Sequence, residues 1–183
     1  MGYVEKIERM KELYKDIPRF RNLLNYDKLI ERMSRQDGIM SLINKLDWSL
    51  SKDEQVSAIK ILIDTIDEDD CDLLLIAGGK QTWHNSIIVL KDVGYPRNKK
   101  ALPSLILLLQ DINWPGASEG MALLKGVAPD VLIPLLEVAI EEGYNSCDFI
   151  WLAGIKHFLT IAQINKTDFI NHDVYELLEY ADW

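Results

Sequence analysis

The chain has little of what membrane proteins, disulfide-stabilised secreted domains and metalloenzymes require. It has two cysteines and three histidines, and none stands in an HExxH, CxxC or paired-histidine spacing. Its longest apolar runs, Leu105–Leu109 and Phe149–Ala153, are far shorter than the ~18 residues of a membrane span. Residues 1–15 alternate charged with apolar side chains, unlike a signal peptide. We therefore expect a cytoplasmic protein with no membrane span and no metal or other cofactor.

The two cysteines also bear on the cellular compartment. Cys71 and Cys147 each lie in an apolar helical pattern. A disulfide between them is one interpretation, but in a reducing compartment we expect two buried free thiols.

Basic side chains are scarce after residue 50. Residues 1–50 carry 10 basic and 8 acidic side chains, whereas residues 51–183 carry 10 basic and 21 acidic ones, a net charge of −11. Such a charge repels phosphate backbones, so we do not expect direct binding of nucleic acid. It would attract a basic protein partner, although many acidic proteins need their charge only for solubility.

No segment shows the two-residue alternation of a strand, whereas helical spacing recurs throughout. Ser51 and Glu54 predict a capping box at the start of a helix. Pro103 and Pro134 each precede a leucine-rich stretch, and we expect both in the first turn of a helix. The segment Cys147–Ala162 is apolar on nearly every side, which predicts a central helix covered on both faces.

Four tryptophans, at positions 48, 83, 114 and 151, are 35, 31 and 37 residues apart. A period near 34 is typical of helical-repeat arrays, in which each helix pair completes its core against the next pair. The pattern predicts an all-α domain, an α-solenoid of HEAT-like helix pairs. Within this single domain, residues 1–47 would form an N-terminal helical cap, 48–162 the repeats and 163–183 a closing helix.

One segment carries a family resemblance. The sequence Leu-Gln-Asp-Ile-Asn-Trp-Pro, at Leu109–Pro115, resembles the signature of a bacterial HEAT-like family of unknown function, with Trp83 upstream and Trp151 about one repeat downstream. The resemblance covers roughly residues 45–162 and implies an α-solenoid, but it implies no activity and no catalytic residue.

The same motif has a structural interpretation of its own. Asn113 could cap a helix opening at Trp114-Pro115, and Asp111 could bond the exposed amides of that helix. Trp114 would then be a wedge between consecutive repeats. We expect these residues to form a joint between helices rather than a binding site.

Acidic residues are the candidates for partner binding. The interpretations left open are a solvated helix start that stabilises the helix dipole, a protein-docking surface and a cation site, although the spacing does not match an EF-hand. Two further carboxylates lie on a predicted second helix, which usually lines the concave side of such arrays. The candidates are Asp64, Asp67, Glu68, Asp69, Asp70, Asp72, Glu137 and Glu141.

These features predict a non-catalytic protein-binding module whose partner is basic. A concrete hypothesis is an immunity protein that neutralises a toxin by covering its basic substrate groove. The alternatives are a HEAT-like nucleic-acid-processing enzyme and a structural subunit of a larger assembly. The enzyme would need a basic groove, formed for instance by Lys99, Lys100, Lys125 and Lys156. The oligomeric state does not follow from the sequence.

Overall fold

The computed structural model describes residues 37–183. Within this part of the chain there are nine α-helices, five 3₁₀ turns and no strand. The predicted all-α class is therefore confirmed, whereas residues 1–36 of the predicted cap lie outside the described residues. The helices are α1 Asp37–Asn44, α2 Lys52–Thr65, α3 Leu73–Ile76, α4 Lys80–Val93, α5 Leu102–Leu107, α6 Ala117–Lys125, α7 Pro129–Asn145, α8 Phe149–Ala162 and α9 His172–Glu176. The 3₁₀ turns are Glu68–Asp70, Lys99–Ala101, Leu108–Gln110, Lys166–Asp168 and Leu177–Tyr180.

Short polar side chains determine where two of the main helices begin. The Ser51 hydroxyl accepts a hydrogen bond from the Glu54 amide, and the Glu54 carboxylate accepts one from the Ser51 amide, so the predicted capping box of α2 is confirmed. The Asp148 carboxylate accepts the Trp151 amide at 3.0 Å and caps α8 in the same way.

The two prolines do not behave alike. Pro103 lies in the first turn of α5, as expected. Pro134, however, lies inside α7, because Pro129 already occupies the first turn of that helix. The helix thus begins more than a turn before Pro134, and it continues past Pro134 without that residue's amide hydrogen bond.

The helices pack mainly on near neighbours in the chain. Helix α2 contacts α1 and α4, and α4 contacts α3 and α6. On the other side, α3 contacts α5, α5 contacts both α6 and α7, and α7 contacts α8 and α9. Helix α8 also packs on the 3₁₀ turn Leu108–Gln110. These contacts enclose one continuous core of buried apolar side chains, most of them aliphatic, with the aromatic Trp151 and Phe158 among its largest members.

The four tryptophans occupy two kinds of position. Trp83 and Trp151 lie in the first turns of α4 and α8, whereas Trp48 and Trp114 lie in the turns that precede α2 and α6. The spacing near 34 residues therefore alternates between a helical site and a turn site. It does not mark one equivalent position in each helix pair.

Two expectations about burial were wrong. Helix α8 is not covered on all sides, because Ile150 and Ile161 are 55% and 40% exposed. Cys71 is buried, but Cys147 is exposed in the turn between α7 and α8, where its φ of 56° ends the helical run. Both thiols are free. No helix between residues 37 and 183 is both long and apolar enough to span a membrane.

Candidate functional site

The acidic candidates between α2 and α3 form what we call the acidic edge. Its members are Asp64, Asp67, Glu68, Asp69, Asp70 and Asp72. The first four are exposed, whereas Asp70 and Asp72 are only 3% and 6% exposed and interact with other groups of the protein. Any recognition by this edge therefore depends on its four exposed carboxylates.

The fold brings a basic turn against the acidic edge. The 3₁₀ turn Lys99–Ala101 packs on the 3₁₀ turn Glu68–Asp70, and Lys100 Nζ lies 3.1 Å from an Asp69 carboxylate oxygen. Both partners are more than half exposed, so solvent screens this ion pair and it adds little to stability. Part of the edge's charge is nevertheless neutralised, mainly at Asp69.

Arg97, which lies two residues before the turn Lys99–Ala101, forms hydrogen bonds to the end of α2. Its Nη2 donates to the carbonyl oxygens of Ile66, at 2.8 Å, and Ile63, at 3.4 Å. Its charge also reaches Cys71. Burial raises the pKa of the Cys71 thiol to about 12, against the opposing effect of the Arg97 guanidinium. The contact between this turn and the acidic edge was not predicted from the sequence, although the basic residues in the run Arg97–Lys100 were visible there.

The carboxylates of α7 serve the protein's own packing. The Glu137 carboxylate accepts the Asn171 amide at 2.7 Å, which attaches the start of α9 to α7. Glu141 has interactions within the protein, as does its neighbour Glu142, which is buried. A docking role at Glu137 would therefore compete with a hydrogen bond that holds the C-terminal helix.

The tryptophan motif forms a joint between α4 and α6. The Asp111 carboxylate accepts the Asn113 amide at 2.9 Å and its side-chain amide at 3.2 Å. Helix α6 begins only at Ala117, after Gly116 with a φ of +83°, so the expectation that Asn113 caps a helix opening at Trp114-Pro115 was wrong. Asp111 closes a local turn there instead.

Trp114 packs on α4. Its ring lies 5.2 Å from that of Trp83, and Lys80 Nζ lies 4.2 Å above the Trp114 ring. The Trp83 indole donates to the Leu75 carbonyl at 2.9 Å, which continues the contact into α3. Gly116 has a left-handed φ, and a Cβ atom there would lie 2.5 Å from Ile87 Cδ1 and 3.3 Å from the His84 Cα, so the joint favours a glycine at this position.

A second joint connects α8 to the segment 102–110. The buried Trp151 indole donates to the Ile106 carbonyl at 3.1 Å, and Gln110 Nε2 donates to Asp148 at 3.2 Å. Gly154 lies so close to Leu109 that a Cβ atom there would overlap the Leu109 carbonyl oxygen. Sequence reasoning singled out Trp151 but not Gly154, because this approach is visible only in three dimensions.

The remaining titratable groups do not converge on one point. His84 Nδ1 lies 3.7 Å from a Glu119 oxygen on α6, and the His157 ring lies 6.2 Å from the Trp183 ring. Among residues 37–183, no three His, Cys, Asp or Glu side chains are placed to hold a metal ion.

Comparison with known proteins adds no relative. No protein-family model matches the chain, and no curated protein or solved structure is similar to it. The resemblance of Leu109–Pro115 to a HEAT-like signature therefore stays a prediction.

Proposed function

We propose that this chain is a non-catalytic protein-binding module built as an α-solenoid of HEAT-like helix pairs. The packing pattern supports the architecture. Helices α2, α4 and α6 follow one another along one row, and α3, α5, α7 and α9 follow one another along a second row. Contacts between alternate helices are typical of stacked helix pairs, in which each pair covers the core of the next.

The observation that carries the binding function is the composition of the exposed side of α2. Val56 and Ile61 are 46% and 43% exposed on this side, and Asp64 lies on the same arc of the helix. The exposed Asp67 and Glu68 follow directly. Exposed Lys60 lies on this side as well, so the border is acidic in the majority and not throughout. Apolar side chains beside a mainly acidic border are typical of protein interfaces, where apolar contacts give affinity and charges select the partner.

The sign of the charge indicates the partner. Residues 51–183 carry a net charge of −11, so a basic protein would be drawn towards the acidic edge and an acidic one repelled. An immunity protein that covers the basic groove of a toxin is the concrete form of this proposal. Val56 and Ile61 would contact the wall of that groove, and Asp64, Asp67 and Glu68 would face its lysines and arginines.

A structural subunit of a larger assembly is the second candidate. It is favoured by exposed apolar side chains along α8: Ile150 and Tyr180 lie at its start, and the Trp183 ring lies 6.2 Å from that of His157 further along the helix. Tyr180 stacks on Phe149 with ring centroids 6.3 Å apart, and the Asp182 amide donates to the Phe149 carbonyl at 3.2 Å. The nucleic-acid alternative would need lysines that are free to face a phosphate backbone, but in the described part of the chain Lys100 pairs with Asp69 and Lys156 donates to the Leu178 carbonyl.

The test is a matched pair of charge reversals. The edge variant carries Asp64→Lys, Asp67→Lys and Glu68→Lys. The control carries Asp92→Lys, Asp130→Lys and Glu179→Lys, which reverse three exposed carboxylates elsewhere. Each tagged protein would be used to capture partners from a bacterial lysate, and the captured protein would then be purified for titration at low and high salt.

We expect one basic protein to bind the unmodified chain and the control with similar affinity. The edge variant should bind it roughly tenfold or more weakly, and high salt should reduce the difference. Equal loss in both variants would refute a specific role of the acidic edge. If the captured protein instead bound saturably to the surface formed by Ile150, Tyr180 and Trp183, and Tyr180→Ala abolished that binding, the result would favour a structural subunit of a larger assembly.

A further inference from the structure

The described residues form a cavity at the end of α8, half open to solvent, that the proposed protein interface does not use. Its volume is about 420 Å³, within the range of small-molecule sites. One wall is the end of α8, a second is the connection to α9, and the third is the ring of Tyr175. It is lined by Lys156, Leu159, Thr160, Gln163, Ile164, Asn165 and Tyr175.

The charge in this cavity is opposite to that of the protein. Lys156 is the one ionisable side chain on α8 that lines it, and no carboxylate is among its seven lining residues. The Lys156 ammonium donates one hydrogen bond to the Leu178 carbonyl at 3.2 Å, which positions it. An ammonium has three donors, so it can also bond a ligand oxygen. Nearby Glu176 is paired with Lys166.

The backbone at Gln163 turns the chain around this cavity. Gln163 ends α8 with φ 60° and ψ 34°, a left-handed conformation that usually falls to glycine. Its carbonyl accepts the side-chain amide of Asn165 at 3.3 Å, and Asn165 in turn caps the turn Lys166–Asp168. The Asn165 side chain thus forms part of the wall. Glycine would adopt the backbone conformation of residue 163 more easily, but only glutamine also supplies a carboxamide to the cavity.

Apolar and aromatic surface completes the site. Leu159 is buried beneath the cavity and Ile164 is half-buried beside it. The Tyr175 ring is held edge-on to Phe169, with centroids 5.1 Å apart, so it offers a fixed aromatic wall and a phenolic hydroxyl. A positive charge, a carboxamide and a hydroxyl above an apolar floor suit a small organic anion with a short carbon chain.

We propose that this cavity binds a small molecule that carries a carboxylate. The Lys156 ammonium pairs with the carboxylate, and the Gln163 carboxamide and Tyr175 hydroxyl bond its other polar atoms. Leu159 and Ile164 contact its carbon chain. No covalent step is involved, and binding here is independent of the acidic edge.

The test compares an acid with its amide. Glutarate and glutaramide have the same carbon chain, so only the carboxylate distinguishes them. Each would be titrated into the full-length protein up to about 10 mM, where even a millimolar complex forms largely to completion. Amide chemical shifts of residues 156–165 and 175 would be followed by NMR. We expect glutarate to shift these resonances in a saturable manner and glutaramide to do so at least about tenfold more weakly.

Three variants locate the site. Lys156→Met should weaken glutarate binding roughly tenfold or more, whereas Lys125→Met, an exposed lysine on α6, should leave it unchanged. Because Lys156 also bonds Leu178, its variant could loosen the fold, so Gln163→Gly provides an independent check. Glycine suits the left-handed conformation, and this variant should fold at least as stably while binding glutarate about threefold or more weakly.

Several results would overturn the proposal. One is that glutaramide binds as tightly as glutarate. Another is that Lys156→Met and Gln163→Gly both bind glutarate as tightly as the unmodified protein does. A third is that glutarate produces no saturable shifts at residues 156–165 and 175. Identical shifts produced by chloride or phosphate at the same concentrations would also overturn it, because they would show that the site takes any anion.

Discussion

The close approach of α8 to the segment before it makes Gly154 the most sensitive glycine in the described chain. A Cβ atom at 154 would overlap the Leu109 carbonyl oxygen and lie 2.9 Å from the Leu109 carbonyl carbon. Backbone atoms cannot rotate away as a side chain can, so Gly154→Ala must push α8 from the turn Leu108–Gln110. That shift would also distort the hydrogen bond from the Trp151 indole to the Ile106 carbonyl.

The magnitude follows from two opposing effects. Overpacking a well-packed core costs about 1–3 kcal/mol, and a backbone obstacle places this site at the upper end or beyond. Replacing glycine by alanine inside a helix returns about 1 kcal/mol. We therefore expect Gly154→Ala to lower the free energy of unfolding by about 2 kcal/mol or more. For a chain of this length, that corresponds to a fall in Tm of about 4–8 °C.

Gly120 provides the matched control. It also lies inside a helix, α6, but a Cβ there would meet only side-chain atoms of Leu108, Leu105 and Ile87, at 3.4–3.7 Å. Gly120→Ala should therefore gain about 0.5–1 kcal/mol from helix propensity. Urea unfolding followed by tryptophan fluorescence measures both variants at constant m-value. If Gly154→Ala matched or exceeded the stability of the unmodified protein, the inferred approach of α8 to Leu109 would be wrong.

Three further predictions concern the helix start, the buried indole and the thiols. Ser51→Ala should lower the free energy of unfolding by about 1 kcal/mol, because it removes the cap of α2. The Ser51 hydroxyl, and second to it the Ser51 amide, lower the pKa of Glu54, so the stability they add is present above the ordinary value near 4.5 and is lost as pH falls through the lowered pKa. The variant keeps only the amide, so this pH-dependent part should be smaller in its acid-unfolding curve than in that of the unmodified protein. Trp151→Phe should lower the free energy of unfolding by about 1 kcal/mol or more, because it removes the indole N–H that donates to the buried Ile106 carbonyl and a hydrogen bond typically contributes ~1 kcal/mol. A change below about 0.5 kcal/mol in chemical unfolding would contradict that hydrogen bond. With a thiol-specific disulfide reagent at about pH 8, the exposed Cys147 thiol should react at once. The Cys71 thiol should react only when the protein unfolds, because burial raises its pKa to about 12. Rapid reaction of both thiols in the native protein would contradict the burial of Cys71.

Local signals in the sequence predicted part of the fold because neighbouring residues decide them. The Ser51 and Glu54 capping box lies within one turn, and Pro103 needs only its own helix start. The Asp111–Asn113 segment shows the limit of such signals. Both side chains suit either a helix cap or a local turn, and the left-handed Gly116 placed the helix start beyond them.

The candidate site was less predictable because distant segments complete it. The pairing of Asp69 with Lys100 and the bond from Asn171 to Glu137 join residues more than thirty positions apart. Burial of Asp70 and Asp72 likewise depends on how α3 packs. A run of acidic residues therefore indicated a charged edge, but not which carboxylates would reach solvent.

The neighbour-to-neighbour packing of the helices has a consequence for how the chain acquires its structure. Within residues 37–183, most of the principal helix contacts join helices one or two places apart, and the longest reach of α8 is back to the end of α5 and the turn that follows it. Closing such short loops costs little entropy, so chains of low contact order fold rapidly. Synthesis from the N-terminus would thus let α2, α3 and α4 assemble before α8 is made. Helix α8 then packs Trp151 against a surface that has already formed.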